Sequence, residues 1–206
     1  RDLHSFPTRR SSDLVVYLHG LGQTPASWEA VLRVLGQESG GLCPDLFGLI
    51  RGKEVCYENL YQAFSRYCGA LPAPLTLCGL SLGGVLALQY GIEHSDRVGA
   101  LVLIGTQFVM PKGLLRLQNA MFRLMPGSMF SASGLSKADT MRLSRSMMAL
   151  DFRGCLARLR CPVLAVCGTG DHANLKAARQ LCRRSIFSSI TIQPFSVWRT
   201  CAYTCR

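Results

Sequence analysis

The segment of this 206-residue chain best suited to covalent chemistry is the pentapeptide Gly79-Leu80-Ser81-Leu82-Gly83. Its pattern, G-x-S-x-G, arises by chance about one time in ten at this length from average residue usage, so the setting carries the weight. An apolar, strand-like run at 75–78 precedes it, and an apolar helical stretch from 82 to about 93 follows. Strand, sharp turn and helix together make a nucleophile elbow. A turn that tight forces the serine into a strained backbone, and Gly79 and Gly83 remove side chains that would collide around it, while Gly84 eases helix packing. Ser81 Oγ would then project at the carboxyl end of a parallel strand, over a helix N-terminus that favours developing negative charge. The chemistry such a serine performs is attack on a carbonyl. The plain alternative is an ordinary glycine-rich strand-to-helix turn.

A second motif, His19-Gly20-Leu21-Gly22, ends the strand-like run at 15–18. Acyl transfer needs two N–H donors aimed at the developing oxyanion, one just after the nucleophile and one from the loop after an earlier strand. Leu82 N–H is the candidate for the first and Leu21 N–H for the second. His19 could act as a general base, but a turn histidine that bonds backbone and braces this loop is the preferred reading.

The elements that must hold these motifs alternate along the chain. Strands are expected at 15–18, 42–45, 75–78, 100–104 and 162–167, and helices from 24 or 27 to 35, at 57–67, 82–93 and 174–183. Compact apolar strands alternating with helices mean an α/β fold, a parallel sheet covered on both faces. In space the sheet should run 42–45, 15–18, 75–78, 100–104, 162–167. Residues 111–150 break the alternation with two helical segments, 112–125 and 135–150, the second opening at Ser136 with Asp139 three residues on. They read as an inserted helical cap. Leu114, Leu117, Met121, Met125, Met147 and Met148 are expected to share an apolar face over the Ser81 opening. Packing against each other and the sheet is the other reading.

These residues resemble the α/β-hydrolase superfamily, in its serine hydrolase branch. VVYLHGLGQTPASW is similar to the strand and oxyanion loop, CPDLFGL to the next strand and turn, and LCGLSLGGVLALQYGIEHSDRVGALVLIG to the elbow, its helix and the following strand. CPVLAVCGTGDHANLKAARQL resembles the late strand and the acid-bearing loop. The resemblance covers about residues 15–183. It implies Ser81 as nucleophile, Asp171 as the acid that orients a histidine, Leu21 and Leu82 as oxyanion donors, and His19, Gly20, Gly79 and Gly83 as motif support. It also implies acyl transfer to water, with no metal and no organic cofactor, on a small-molecule ester; the flexible methionines of 111–150 suit an apolar acyl group.

The pattern fails at the base. Triad order requires a histidine after the acid, yet none follows His172, whose side chain, next to Asp171, cannot easily span to the serine. His94 ends the elbow helix and reads as surface. Related sequences would place a Gly-His loop near Trp198, inside 184–206, a stretch without acids that reads as an aberrant tail replacing the last strand and histidine loop, with one strand-like stretch at 189–192. A frame error, a truncation and a true loss of the base all account for this. At the other end, residues 1–14, RDLHSFPTRRSSDL, resemble translated sequencing-adapter sequence and are set apart with His4 as a non-native leader.

Composition bounds the rest. Half the residues are apolar, and no apolar run approaches the roughly 18 residues of a bilayer span, so stable membrane insertion is not expected. The formal charge of +11 includes +7 within 111–160 alone. A basic cap is a weaker case for nucleic acid or anionic membrane than a basic groove throughout, and a solvated helix face explains it more simply. The ten cysteines form no C-x-x-C and read mostly as core thiols in a reducing cytoplasm. The expectation is therefore a cytoplasmic esterase- or lipase-like serine hydrolase, impaired in this copy. The alternative is a non-catalytic binding protein of the same fold.

Overall fold

The structure is a computed structural model that describes residues 14–36, 41–131, 133–184 and 188–193. Strand β1 (Leu14–Leu18) leads through a 3-10 turn at Pro25–Trp28 into helix α1 (Glu29–Val34) and strand β2 (Gly41–Leu42). Then come α2 (Tyr57–Gly69), β3 (Leu75–Leu80), α3 (Leu82–Glu93) and β4 (Val98–Ile104). Three helices follow β4, namely α4 (Lys112–Leu124), the single-turn α5 (Ser128–Ser131) and α6 (Lys137–Ser146). The chain returns to the sheet as β5 (Val163–Gly168), α7 (His172–Arg184) and β6 (Ser188–Gln193).

All six strands are parallel, in the order β2-β1-β3-β4-β5-β6. The five strands read from the sequence stand in the expected order, with corrected ends. β2 stops at Leu42 rather than 45, and Pro44 has no N–H to give to a ladder. β4 starts two residues early, at Val98, because the register skips Gly99 between the pairs Leu75–Val98 and Thr76–Ala100. That irregularity hides the start of the strand from an alternation test. Leu14, assigned above to the leader, pairs with Leu75 in β1. Within the stretch read as an aberrant tail, Ser188–Gln193 lies along β5 as the sixth strand. The expected histidine position near 198 lies outside the described residues.

From β1 the chain moves to β2 on one side, and from β3 it moves to β4 and β5 on the other. The direction reverses between β1 and β3, and open α/β sheets bind ligands in the crevice beyond the carboxyl ends at such a switch. One face of the sheet carries the main core, where Leu77, Leu101, Leu103, Val163 and Ala165 pack with Leu60 and Phe64 of α2, Leu86 and Tyr90 of α3 and Leu181 of α7. The other face carries a smaller cluster, Tyr17, Trp28, Leu32 and Cys78. Burial pushes the Cys68 and Cys78 thiols up to about 12, so both stay protonated and behave as small hydrophobes.

The cap is tied to the sheet at a neck. Val109 and Asp151 form an antiparallel bridge, Met110 N–H donates to Leu150 O (3.1 Å) and Phe152 N–H donates to Phe108 O (2.9 Å). Ser136 Oγ accepts from Asp139 N–H at the start of α6, and Lys137 Nζ closes α4 by donating to the carbonyls of Arg123 and Met125 (2.7 and 2.8 Å). At the far end of α6, Ser146 Oγ accepts from Tyr57 N–H, the first residue of α2 (2.8 Å). Because α2 carries the chain back to start a parallel strand, its N-terminus lies at the carboxyl rim of the sheet. The cap therefore sits on that rim.

The expected shared apolar face divides in two. Met147 joins the main core and Met141 is also buried, whereas Leu114, Leu117 and Met121 stand in solvent. The reason is the rotation of α4, which faces inward through Leu115, Asn119 and Phe122; Asn119 Nδ2 donates to the buried Ser144 Oγ (3.1 Å), and Phe122 meets Phe130 edge-on. Leu86→Ala, in the core, should lower stability by about 2–5 kcal/mol in urea denaturation, while Leu117→Ala should change it by less than about 0.5 kcal/mol.

Candidate active site

Ser81 is the only non-glycine residue with positive φ among the described residues, at φ 52°, ψ −110°. Such a backbone costs about 1–3 kcal/mol, and it is held from both sides. Ser81 N–H donates to Ile104 O (2.8 Å), and Ser81 O accepts from Val85 N–H (3.0 Å). A Cβ on Gly79 would strike the backbone of Gly83, and one on Gly83 would strike the carbonyl of Leu18. Substitution at either glycine would push backbone apart, which no rotamer change relieves. The serine side chain itself is exposed, at the carboxyl end of β3.

Leu18 of β1 pairs with Gly79 of β3. Leu21, three residues past one, and Ser81, two past the other, therefore leave neighbouring strands at the same rim, at the switch point. Leu82 is the first residue of α3, where N–H groups have no partner four residues back. The loop after β1 is closed on itself, since Gly20 N–H donates to Gln23 Oε1 (2.8 Å) and Gln23 N–H donates to Gly20 O (3.2 Å).

His19 lies beneath this loop, fully buried, with Phe47 edge-on at 5.2 Å. Nε2 accepts from Leu46 N–H (3.2 Å), which leaves Nδ1 as the protonated nitrogen, bonded to Gly20 O (3.1 Å). Burial lowers its pKa from 6.5, against smaller opposing effects of the Gly20 bond and Asp45. Both ring nitrogens are thus occupied with backbone. His94 follows α3, whose 12 residues rise roughly 18 Å from Ser81 towards the amino ends of the strands. There its ring lies tilted against Tyr90 (centroids 4.5 Å apart) and meets Ser65 Oγ (3.3 Å). His172 is exposed at the start of α7.

Asp171 follows β5 on the same rim as Ser81, two strand spacings or roughly 10 Å across the sheet. Oδ1 accepts from Asn174 N–H (3.1 Å) and Oδ2 from Asn174 Nδ2 (2.6 Å). Gln107 Nε2, from the loop after β4, in turn donates to Asn174 Oδ1 (2.7 Å). Asp171 is thus the cap of α7 as well as a rim carboxylate. No histidine among the described residues bonds to either Ser81 or Asp171.

Three residues of this arrangement escaped sequence reasoning. Asn174 had a signal, because Asp-x-x-Asn before an apolar helical pattern is a capping spacing. Gln107 and Thr106 had none. Thr106 Oγ1 donates to the same Ile104 carbonyl that holds Ser81 (3.3 Å), and it fills the space that a Cβ on Gly84 would need.

An elbow at the switch point of a parallel sheet, with a helical cap on the rim, defines a class of protein. Residues 15–193 match the alpha/beta hydrolase family, and the chain belongs to it. Over 104 residues it is 30% identical to the pimeloyl-[acyl-carrier protein] methyl ester esterase of Nitrosomonas europaea, covering 50% of this chain and 41% of that protein. The corresponding esterase of Aromatoleum aromaticum is 36% identical over 93 residues, 45% of this chain and 36% of that one. The matches therefore span less than half the length of these curated relatives. Among solved structures, an esterase from Exiguobacterium antarcticum superposes with a TM-score of 0.72 at 17% identity, over 92% of this chain and 88% of the other, which establishes likeness of fold.

The environment of His19 has a pH consequence. With its folded pKa depressed, the unfolded chain binds the proton more readily, so this residue's contribution is intact above about pH 6.5 and is lost as pH falls towards the folded value. Urea midpoints at pH 7.5 and 5.5 should fall further in the parent than in His19→Gln, which keeps an acceptor for Leu46 N–H without a titrating ring. An equal fall in both proteins would remove His19 from the pH response.

Proposed function

We propose that this chain is the core of a serine carboxylester hydrolase. The observation that carries the reading is the strained, exposed Ser81 at the carboxyl end of β3, beside the Gly20–Gln23 loop. In the reaction, Ser81 Oγ attacks the ester carbonyl and its proton passes to a histidine. The N–H groups of Leu21 and Leu82 stabilise the tetrahedral oxyanion. The alcohol leaves with the proton returned by that histidine, and water hydrolyses the acyl-enzyme by the same route in reverse roles. Asp171 orients the histidine and stabilises its imidazolium form. The roughly 10 Å between the strands of Ser81 and Asp171 suits an imidazole inserted between them.

The described residues supply no such base, so the copy in hand is expected to be strongly impaired. Esters with apolar acyl groups are the expected substrate class, although Leu114, Leu117 and Met121, expected to cover the Ser81 opening, stand in solvent instead. The names of the two curated relatives add a carrier-linked acyl methyl ester as a specific candidate. A second reading, a binding protein that keeps the pocket without the chemistry, is favoured by the same lack of a histidine bonded to Ser81 or Asp171.

The test compares this chain with a version whose tail carries a histidine near position 198. The restored protein should hydrolyse short activated esters about 10³-fold faster or more and should be labelled rapidly by a serine-directed phosphonate. Ser81→Ala in the restored protein should abolish both while leaving the fold intact, since it keeps the backbone bonds of the elbow. A restored protein that folds yet stays inert across a broad ester panel would hand the assignment to the binding reading.

A further inference from the structure

Helix α4 presents to solvent two stripes that the proposed chemistry does not use. At 100° per residue, Leu114, Leu117, Met121 and Leu124 lie on one side of it, with 50%, 60%, 57% and 88% of their surface exposed. Met129, just beyond, is 60% exposed. Five of the seven exposed large hydrophobic residues among the described residues thus fall between 114 and 129. Single exposed leucines need no explanation, but a contiguous row does.

Lys112, Arg116 and Arg123 form the second stripe, all exposed. Between the two stripes on the solvent side lie only Gly113 and Ala120, so nothing bulky separates cations from aliphatic side chains. The opposite side of the helix is committed to the cap through Leu115, Asn119 and Phe122, which fixes the orientation of both stripes. No acidic residue occurs between Asp96 and Asp139. Asp139 is paired with Arg142 and Asp151 with Arg153, and Asp151 also feels the charge of Lys112.

From this pairing we propose that α4 docks the protein on anionic lipid surfaces, lying in the plane of the bilayer interface. Such helices carry Lys and Arg on a polar side and large aliphatic residues on the other, over a length that lets the whole stripe sink to the level of the acyl chains. Thirteen residues give roughly 20 Å of contact. The cations face the headgroups of acidic phospholipids, whose surface potential attracts juxtaposed Lys and Arg. The stripe contains no Trp or Tyr, and leucine is under-represented among the anchors of protein interfaces. Its composition fits a fluid apolar phase better than a shaped protein pocket. No described helix is long and apolar enough to cross a membrane, so the contact is peripheral. This docking goes beyond the esterase reading and stands or falls independently of it.

The experiment uses the full chain and sedimentation with vesicles of phosphatidylcholine alone or mixed three to one with phosphatidylglycerol. The parent should bind the anionic vesicles at least tenfold more tightly, and 0.5 M NaCl should weaken that binding. Leu117→Gln with Leu124→Gln leaves the charge unchanged and should weaken it about tenfold, as should Arg116→Gln with Arg123→Gln. Hydrogen exchange on the parent alone, with and without vesicles, should show new protection concentrated in 112–131. No binding to the anionic vesicles would overturn the proposal, as would protection centred elsewhere in the chain. Undiminished binding by the leucine double variant would also overturn it. Capture of soluble polyglutamate that depends on the arginines but not on the leucines, without vesicle binding, would instead assign the surface to an acidic protein partner.

Discussion

The site depends on a backbone conformation that its own residue disfavours. Ser81 is held at positive φ by one hydrogen bond on each side, to Ile104 and from Val85. Each such bond has a net worth of about 0.5–1.5 kcal/mol, so the two together offset a strain of about 1–3 kcal/mol without much to spare. What makes the turn hold is close approach: α3 begins so near Leu18 that Gly83 has no room for a side chain, and so near Thr106 that Gly84 has none. Three parallel strands, β1, β3 and β4, thus meet at one serine. The register of β1 and β3, paired up to Leu18 and Gly79, brings the loop carrying Leu21 out at the same rim.

Around that point two polar side chains are held by the backbone and by neighbouring amides. His19, which sequence alone allows as a base, has both nitrogens satisfied by the backbone of its own loop and of Leu46, and burial disfavours its charged form. Its work is to join the loop after β1 to the segment after β2. Asp171 is held differently. Asn174 binds both carboxylate oxygens from one side, and Gln107 ties Asn174 to the loop after β4. A carboxylate serving as a helix cap is oriented before any partner arrives, and each oxygen still has lone-pair capacity for a further donor.

The fold was legible in the sequence because its strands are compact apolar runs separated by glycine and proline; right-handed crossovers set which face each helix covers, and the strand order is the one that the α/β-hydrolase resemblance implies. The elbow was legible because its glycines are spaced for a steric reason. What escaped falls into two kinds. The early start of β4 was hidden by Gly99, a residue outside the ladder. Thr106 and Gln107 act through contacts 22 and 67 residues distant in sequence, with Gly84 and Asn174, and no local pattern encodes such contacts. The apolar residues of the cap were identified correctly but assigned to a single face, because periodicity reports which residues share a side and not which side is buried. On α4 the buried side is the mixed one, chosen by Asn119 and Phe122.

That choice separates two demands on the cap. At its neck and along α6 it is bound to the rim by backbone pairing at Val109 and Asp151, by Ser146 at the start of α2, and by Met147 in the core. These contacts fix where the cap stands over the switch point. α4 is joined mainly to α6, and Lys137 closes its last turn with bonds that leave the other side untouched. Burying Leu114, Leu117 and Met121 against the sheet would have gained about 1.5–3 kcal/mol for each side chain. It would also have turned the amide of Asn119 into solvent and broken its bond to Ser144. A helix that keeps its polar contact inward and its leucines outward gives up stability in the isolated chain, and under the proposed docking the acyl chains of a lipid surface recover it.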